Sequence, residues 1–194
     1  NFENFKLSGD ISTVVFGDSN DNHIITDNGN DTLNGGAGND TLKGGSGYDK
    51  LEGGDGDDHL VGGGGPEGVD NFTDWLDGGN GDDMLDASQG INSSWGSMVL
   101  PGLGKDTILG SEALWNNFDG IDIGYWNVSG VGGITVTVGE NGSGTVVSGD
   151  GQINDTFKFA HYFLGTDGDD VFNGSDTSSD PRRIEGFVVN GGTS

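Results

Sequence analysis

The sequence predicts an all-β chain: a parallel β-roll, a form of β-solenoid, over the first half, followed by an irregular β-rich half. Three observations carry that prediction. Nonapeptides of the form GGxGxDxUx, with U a large aliphatic residue, abut without a gap in GGAGNDTLK (35–43), GGSGYDKLE (44–52) and GGDGDDHLV (53–61). Their acid and aliphatic positions keep phase well beyond those three units, which a disordered acidic segment has no reason to do. Composition agrees: 41 of 194 residues are glycine and only 30% are hydrophobic, too few for a thick core. No segment shows convincing helical periodicity.

In chain order, residues 1–16 precede the repeat and are read as an N-terminal capping segment. The repeat proper is read over 17–86 as eight units, including GDSNDNHII (17–25), TDNGNDTLN (26–34), GGGGPEGVD (62–70), NFTDWLD (71–77, two residues short) and GGNGDDMLD (78–86). Its sixth position reads Asn22, Asp31, Asp40, Asp49, Asp58, Glu67, Asp74, Asp83, and its eighth Ile24, Leu33, Leu42, Leu51, Leu60, Val69, Leu76, Leu85. Residues 87–194 are read as an irregular solenoid continuation. In it, 87–100 is an insertion or loop without register, and PGLGKDTIL (101–109) is a degenerate unit with Asp106 and Ile108 in phase. Residues 110–130 hold an apolar patch with Trp115, Phe118, Tyr125 and Trp126. Strand signals follow at 134–138, 145–147 and 156–163. GTDGDDVFN (165–173) is a last good unit, with Asp170 and Phe172 in phase, and 174–194 is polar before Ile184, Phe187, Val188 and Val189.

Each unit offers a three-residue strand and a glycine-rich turn, so two units make one coil and residues 18 apart stack roughly 4.8 Å from each other. The sixth-position acids then form two ladders, one along each edge. Asn22, Asp40 and Asp58 share one edge, and Asp31, Asp49 and Glu67 the other, with Asp58 expected to meet Asp74 and Glu67 to meet Asp83. Stacked like charges destabilise the coil unless a cation lies between them. The ligands on offer, carboxylates and turn carbonyls, are all oxygen, which suits Ca²⁺ over Zn²⁺ and over the stricter Mg²⁺. Six stacked pairs have room for about six ions, which would bring the net charge of −25 to about −13. An EF-hand is rejected, because His23 and Gly29 stand where its turn glycine and bidentate Glu are required.

These nonapeptides resemble the RTX (repeats-in-toxin) calcium-binding family. The resemblance implies a right-handed parallel β-roll in which each ion lies between two turns of one edge. The ligands would be the sixth-position Asp of both turns, the carbonyls of positions two and four of the earlier turn, and those of positions one and three of the later. Carried over, Asp31, Gly29, Asp49, Gly44 and Ser46 form one site. Asp40, Gly36, Gly38, Asp58, Gly53 and Asp55 form a second, and Asp49, Gly45, Gly47, Glu67, Gly62 and Gly64 a third. Asn22, Asp74, Asp83, Asp106 and Asp170 join as in-phase candidates; Asn22 and Glu67 depart from the family's Asp. The resemblance also implies a module of a larger bacterial exoprotein that leaves the cell unfolded by a one-step (type I) route. Such a module folds in extracellular calcium, where modules bind at about 10⁻⁴ to 10⁻³ M.

Other classes fit less well. The charge repels nucleic acid and anionic membranes, and no apolar run approaches the ~18 residues of a spanning helix. Absence of cysteine excludes disulfides and thiolate metal sites. Asn1-Phe2-Glu3 opens the chain without Met or a signal-like stretch, so a piece of a longer protein is expected. No nucleophile, phosphate loop or His cluster is evident, so this chain is read as non-enzymatic. His161 and Tyr162 are either a catalytic pair in a sugar-acting solenoid or part of a strand presenting Phe157, Phe159, His161 and Phe163 on one face. His23 and His59, at position seven, are read as outward-facing. Trp75, Trp95, Trp115 and Trp126 either stack on sugars or cap the open ends of the roll. Asp180-Pro181 is a turn signal. The alternatives to a structural module are a glycan- or cell-surface-partner-binding module, or an accessory module of a polysaccharide-acting enzyme. Ice binding is set aside, since turn positions three and five form no rank of repeated Thr and Asn.

Overall fold

The computed structural model describes residues 3–64, 73–89, 96–112, 120–139, 142–174 and 187–188. Glu67, Val69, Trp95, Trp115, Phe118, Asp180-Pro181, Ile184 and Val189 lie outside them, as does the side chain of His161. Eighteen strands form two sheets among the described residues. One sheet runs β1 (Asn4–Lys6), β3 (His23–Ile25), β5 (Thr41–Lys43), β7 (His59–Val61), β9 (Met84–Asp86), β11 (Thr107–Leu109), then β15 (Asn154–Lys158), β14 (Gly144–Ser148), β13 (Ile134–Val138) and β17 (Val171–Gly174). The other runs β2 (Val14–Phe16), β4 (Thr32–Ala37), β6 (Lys50–Asp55), β8 (Trp75–Asn80), β10 (Met98–Leu103), β12 (Ile121–Gly124), β16 (Ala160–Leu164) and β18 (Phe187–Val188). Consecutive strands alternate between the sheets through β12, and every pairing in that stretch is parallel. That is the predicted parallel β-roll.

Alternation along each three-residue strand turns one aliphatic inward per unit. Ile24, Leu42, Leu60, Leu85 and Ile108 line one sheet, and Leu33, Leu51, Leu76, Val99 and Ile123 face them; all are fully buried. Burying each stabilises the fold by about 1.5–3 kcal/mol relative to exposure. Phe157 and Phe163 continue the two rows and meet edge to face at 4.9 Å.

The 18-residue step holds from His23 through Thr41 to His59 and from Thr32 to Lys50. It then lengthens: Lys50 pairs with Trp75 and His59 with Met84, a step of 25. The sequence reading of 62–70 and 71–77 as two units is therefore corrected. Together they supply a single unit between β7 and β8, since Trp75 stacks on Lys50 and Met84 on His59. Pro66 stands at the fifth position of 62–70. In regular units the fifth-position N–H donates to the coil beneath, as in Tyr48 to Asn30 (3.1 Å) and Asp57 to Asn39 (3.0 Å). Proline has no such donor.

Two further readings change. Residues 96–100, taken as unregistered, form the strand half of a unit, with Val99 buried at the aliphatic position. The strand predicted over 156–163 is broken at Phe159, whose φ of 60° turns the chain from β15 in one sheet to β16 in the other. β13, β14 and β15 pair antiparallel, a meander set into the otherwise coiled stack.

Candidate metal sites along the edges of the roll

The turns stack the sixth-position side chains into two ladders with one geometry. On one edge the N–H of Asn22 donates to Asp40 Oδ1 (2.7 Å), Asp40 to Asp58 (2.7 Å), Asp58 to Asp83 (2.8 Å), Asp83 to Asp106 (2.8 Å) and Asp106 to Asp155 (2.9 Å). On the other, Thr13 donates to Asp31 (2.7 Å), Asp31 to Asp49 (2.8 Å), Asp49 to Asp74 (3.0 Å) and Asp74 to the Ser97 hydroxyl (3.1 Å). The expected pairings Asp58–Asp74 and Glu67–Asp83 are thus replaced by Asp49–Asp74 and Asp58–Asp83. Both follow from the 16-residue unit 62–77, which places Asp74 and Asp83 on the edges opposite to those predicted.

One carboxylate oxygen therefore serves the backbone of the neighbouring coil. The second is buried without a hydrogen-bond partner in Asp31, Asp40, Asp58, Asp83, Asp106 and Asp170. Isolated buried carboxylate oxygens are costly. Burial pushes the Asp58 carboxyl up to about 7 and that of Asp83 to about 6, with neighbouring carboxylates of both turn ranks adding to the rise. Asp40 is raised for the same first reason. Asp106 and Asp155 are both raised, by burial above all.

The turn glycines leave room at these oxygens. A Cβ on Gly44 or Gly53, the first position of the turn, would overlap Oδ2 of Asp49 or Asp58, and one on Gly62 would overlap Asp74. Gly45 and Gly47 have φ of 105° and 128°, and a Cβ on either would strike the carbonyl oxygen of Asp27 or Gly29 on the coil beneath. Gly36 and Gly38 repeat this pair on the other edge against Asp18 and Asn20. The Ser46 and Asp55 carbonyls accept Gly29 N–H (2.9 Å) and Gly38 N–H (2.8 Å), and Gly62 accepts from Gly45 (2.9 Å), each keeping a second lone pair. Gly64 lies against the Gln89 carbonyl, where a Cβ would come within 2.5 Å.

Among the described residues no three His, Cys, Asp or Glu side chains gather at one point. The donors at each gap are instead two carboxylates and a fringe of turn carbonyls. That all-oxygen set, with buried oxygens awaiting a partner, fits a hard divalent cation. Asp170 stands apart from both ladders: its Oδ1 accepts from Ile134 N–H and the Thr166 hydroxyl (2.8 Å each), and Gly165 covers its Oδ2.

The sequence reading missed Asp155, Tyr125 and Ser97. Asp155 belongs to no repeat unit and follows Asp106 by 49 residues, because the meander intervenes. The Tyr125 hydroxyl bonds Asp155 Oδ2 at 2.5 Å. A second rank was also missed. Fifth-position side chains accept from the following coil, from Asp21 through Asn39 and Asp57 to Asp82, whose carboxylate takes Lys105 N–H (3.0 Å). Trp75 and Trp126 meet edge to face at 6.2 Å beside the outer face of β8, in the middle of the sheet order rather than at an open end. His23 is exposed and His59 half-buried. Among the described residues no helix is long and apolar enough to cross a membrane.

A parallel β-roll with an oxygen-lined acidic ladder on each edge defines a cation-binding repeat module. Comparison with known families is specific: residues 9–42, 16–51, 35–66 and 70–93 match the RTX calcium-binding nonapeptide repeat, in four copies. Residues 9–66 and 70–93 therefore carry RTX calcium-binding repeats, a repeat typical of secreted bacterial proteins. No curated protein and no solved structure matches the chain.

Proposed function

We propose that this chain is a calcium-triggered folding module, unfolded during export and assembled outside the cell as a rigid part of a larger exoprotein. The observation that carries this reading is the row of buried, unpartnered Oδ2 atoms on Asp31, Asp40, Asp58, Asp83 and Asp106. The candidate gaps are Asn22–Asp40, Asp40–Asp58, Asp58–Asp83 and Asp83–Asp106 on one edge, and Asp31–Asp49 and Asp49–Asp74 on the other. That is about six ions, with Asp74 in the place assigned to Glu67 and with Asp170 as a separate single-carboxylate candidate. Bound calcium would supply the positive charge these facing carboxylates need. The carbonyls of Gly29, Gly36, Gly38, Gly45 and Gly47 from the earlier turns, and of Gly44, Ser46, Gly53, Asp55, Gly62 and Gly64 from the later, would complete the coordination. The Oδ1 atoms meanwhile hold adjacent coils in register. Residues 1–16 begin the stack, 17–86 form the acidic roll, and 87–194 continue it and carry the meander.

The test is a calcium titration followed by far-ultraviolet circular dichroism, with magnesium as control. A cooperative coil-to-β transition near millimolar calcium, absent with magnesium, is expected. A chain equally folded in EDTA would overturn the reading.

A further inference from the structure

We infer that the last gap of the longer ladder, between Asp106 and Asp155, is closed on its Asp155 side by the protein's own donors and takes no ion, with Tyr125 as the residue that ends the ion column. This rests on the calcium reading above and adds where the column stops. Four observations support it.

Asp155 differs from the acids before it in the ladder. Its Oδ1 accepts Asp106 N–H (2.9 Å) and its Oδ2 accepts the Tyr125 hydroxyl (2.5 Å), so both oxygens are engaged. Asp40, Asp58, Asp83 and Asp106 each keep a buried Oδ2 without a partner. Both Asp155 and Tyr125 are fully buried, and a phenol hydroxyl on a buried carboxylate is a strong, charge-assisted bond.

The carbonyl fringe is closed as well. In regular units the fourth-position carbonyl is available, and among the described residues those of Gly38, Gly56 and Gly81 accept no hydrogen bond. At the last gap the equivalent Gly104 carbonyl accepts Asn154 N–H (2.9 Å). The turn that leads to Asp155 is tied up internally. Asp150 accepts from Ser148 Oγ (2.6 Å), Gln152 N–H (3.1 Å) and Gln152 Nε2 (2.7 Å), and Ile153 N–H donates to Ser148 Oγ (3.0 Å). No GGxG turn faces the gap from this side.

The experiment counts ions. Native mass spectrometry and calorimetric calcium titration are run on the 194-residue chain, on Asp155→Asn, and on Asp83→Asn as the positive control. The expected result is a full calcium count for Asp155→Asn and the loss of at least one ion for Asp83→Asn. Loss of an ion from Asp155→Asn, with wild type still binding calcium, overturns this inference alone. Failure of wild type to bind calcium overturns the reading beneath it. Should Asp155→Asn not fold, Tyr125→Phe decides: a calcium count equal to wild type or one higher supports the inference, and a lower count refutes it.

Discussion

Without calcium, the roll should be more stable in mild acid than at slightly alkaline pH. In the calcium-free fold, burial lifts Asp58 to about 7 and Asp83 to about 6, from an ordinary value of 3.8. The folded state therefore binds more protons than the unfolded chain between about pH 4 and 7, so stability falls as pH rises through the folded values. Asp58 is 3% exposed and Asp83 2%, so solvent screening discounts little. From about pH 5.5 to about pH 8 the loss comes to about 2 kcal/mol from Asp58 and about 1 kcal/mol from Asp83, on the order of 3 kcal/mol together. That is a large part of the 5–15 kcal/mol that typically holds a domain. Saturating calcium should reverse the trend, because protons then compete with the ion for the same oxygens. The assay is the β content by far-ultraviolet circular dichroism at both pH values in EDTA, and urea denaturation at both in millimolar calcium. The lower pH stays above the isoelectric point of about 4.1, which limits precipitation. A calcium-free stability that rises or stays level towards pH 8 would refute the argument, since the Oδ2 atoms would then not be buried as charges.

Five substitutions probe the other contributions. Leu51→Ala empties a fully buried position of the core row and should cost about 2–5 kcal/mol in calcium-saturated denaturation. Gly53→Ala sets a Cβ onto Asp58 Oδ2 and within 2.6 Å of the Gly78 carbonyl, and should move the calcium midpoint to higher concentration; Gly149→Ala, with nothing within 4 Å, should leave the titration unchanged. Asn39→Ala removes the acceptor for Asp57 N–H and should cost about 1 kcal/mol, read as a lower urea midpoint in saturating calcium. Asp58→Asn keeps an Oδ1 for Asp40 N–H but discards the buried charge, so it should raise the β content in EDTA and lower the urea midpoint in calcium; the same sign in both would refute the division of labour between the two oxygens.

The parts of this fold legible in the sequence are those fixed by a nearest-neighbour rule. Period nine gives the strand, the coil and the acid rows from Asp31 to Asp58, because each residue meets its counterpart 18 positions away and nothing else. Illegible were the places where the step changes. The step from Lys50 to Trp75 is 25 rather than 18, yet the GGGGPEGVD letters keep the nine-residue phase in the sequence and hide it. Ser97 holds a rung of the ladder as a hydroxyl, and so was not seen as an acid position. Asp155 is reached only after the β13–β15 meander. A long-range antiparallel pairing of this kind leaves no periodic trace.

The two oxygens of each ladder Asp tie register to ion binding. A side chain with one acceptor would fix the coil spacing without creating a charge problem, and Asn39 does so on the exposed fifth-position rank. Serine can do it too, as Ser97 does at the end of the shorter ladder, and Asn22 starts the longer one with its amide oxygen turned to Asp18 N–H. Neutral groups thus suffice at one end of each ladder. In the interior, Asp places its second oxygen in the same buried turn that the stacking itself creates, so the coil cannot close without concentrating negative charge there. The cation requirement is therefore a consequence of coil formation rather than a separate site added to a finished fold. It should appear only as consecutive coils come together, which makes the response to calcium cooperative along the ladder.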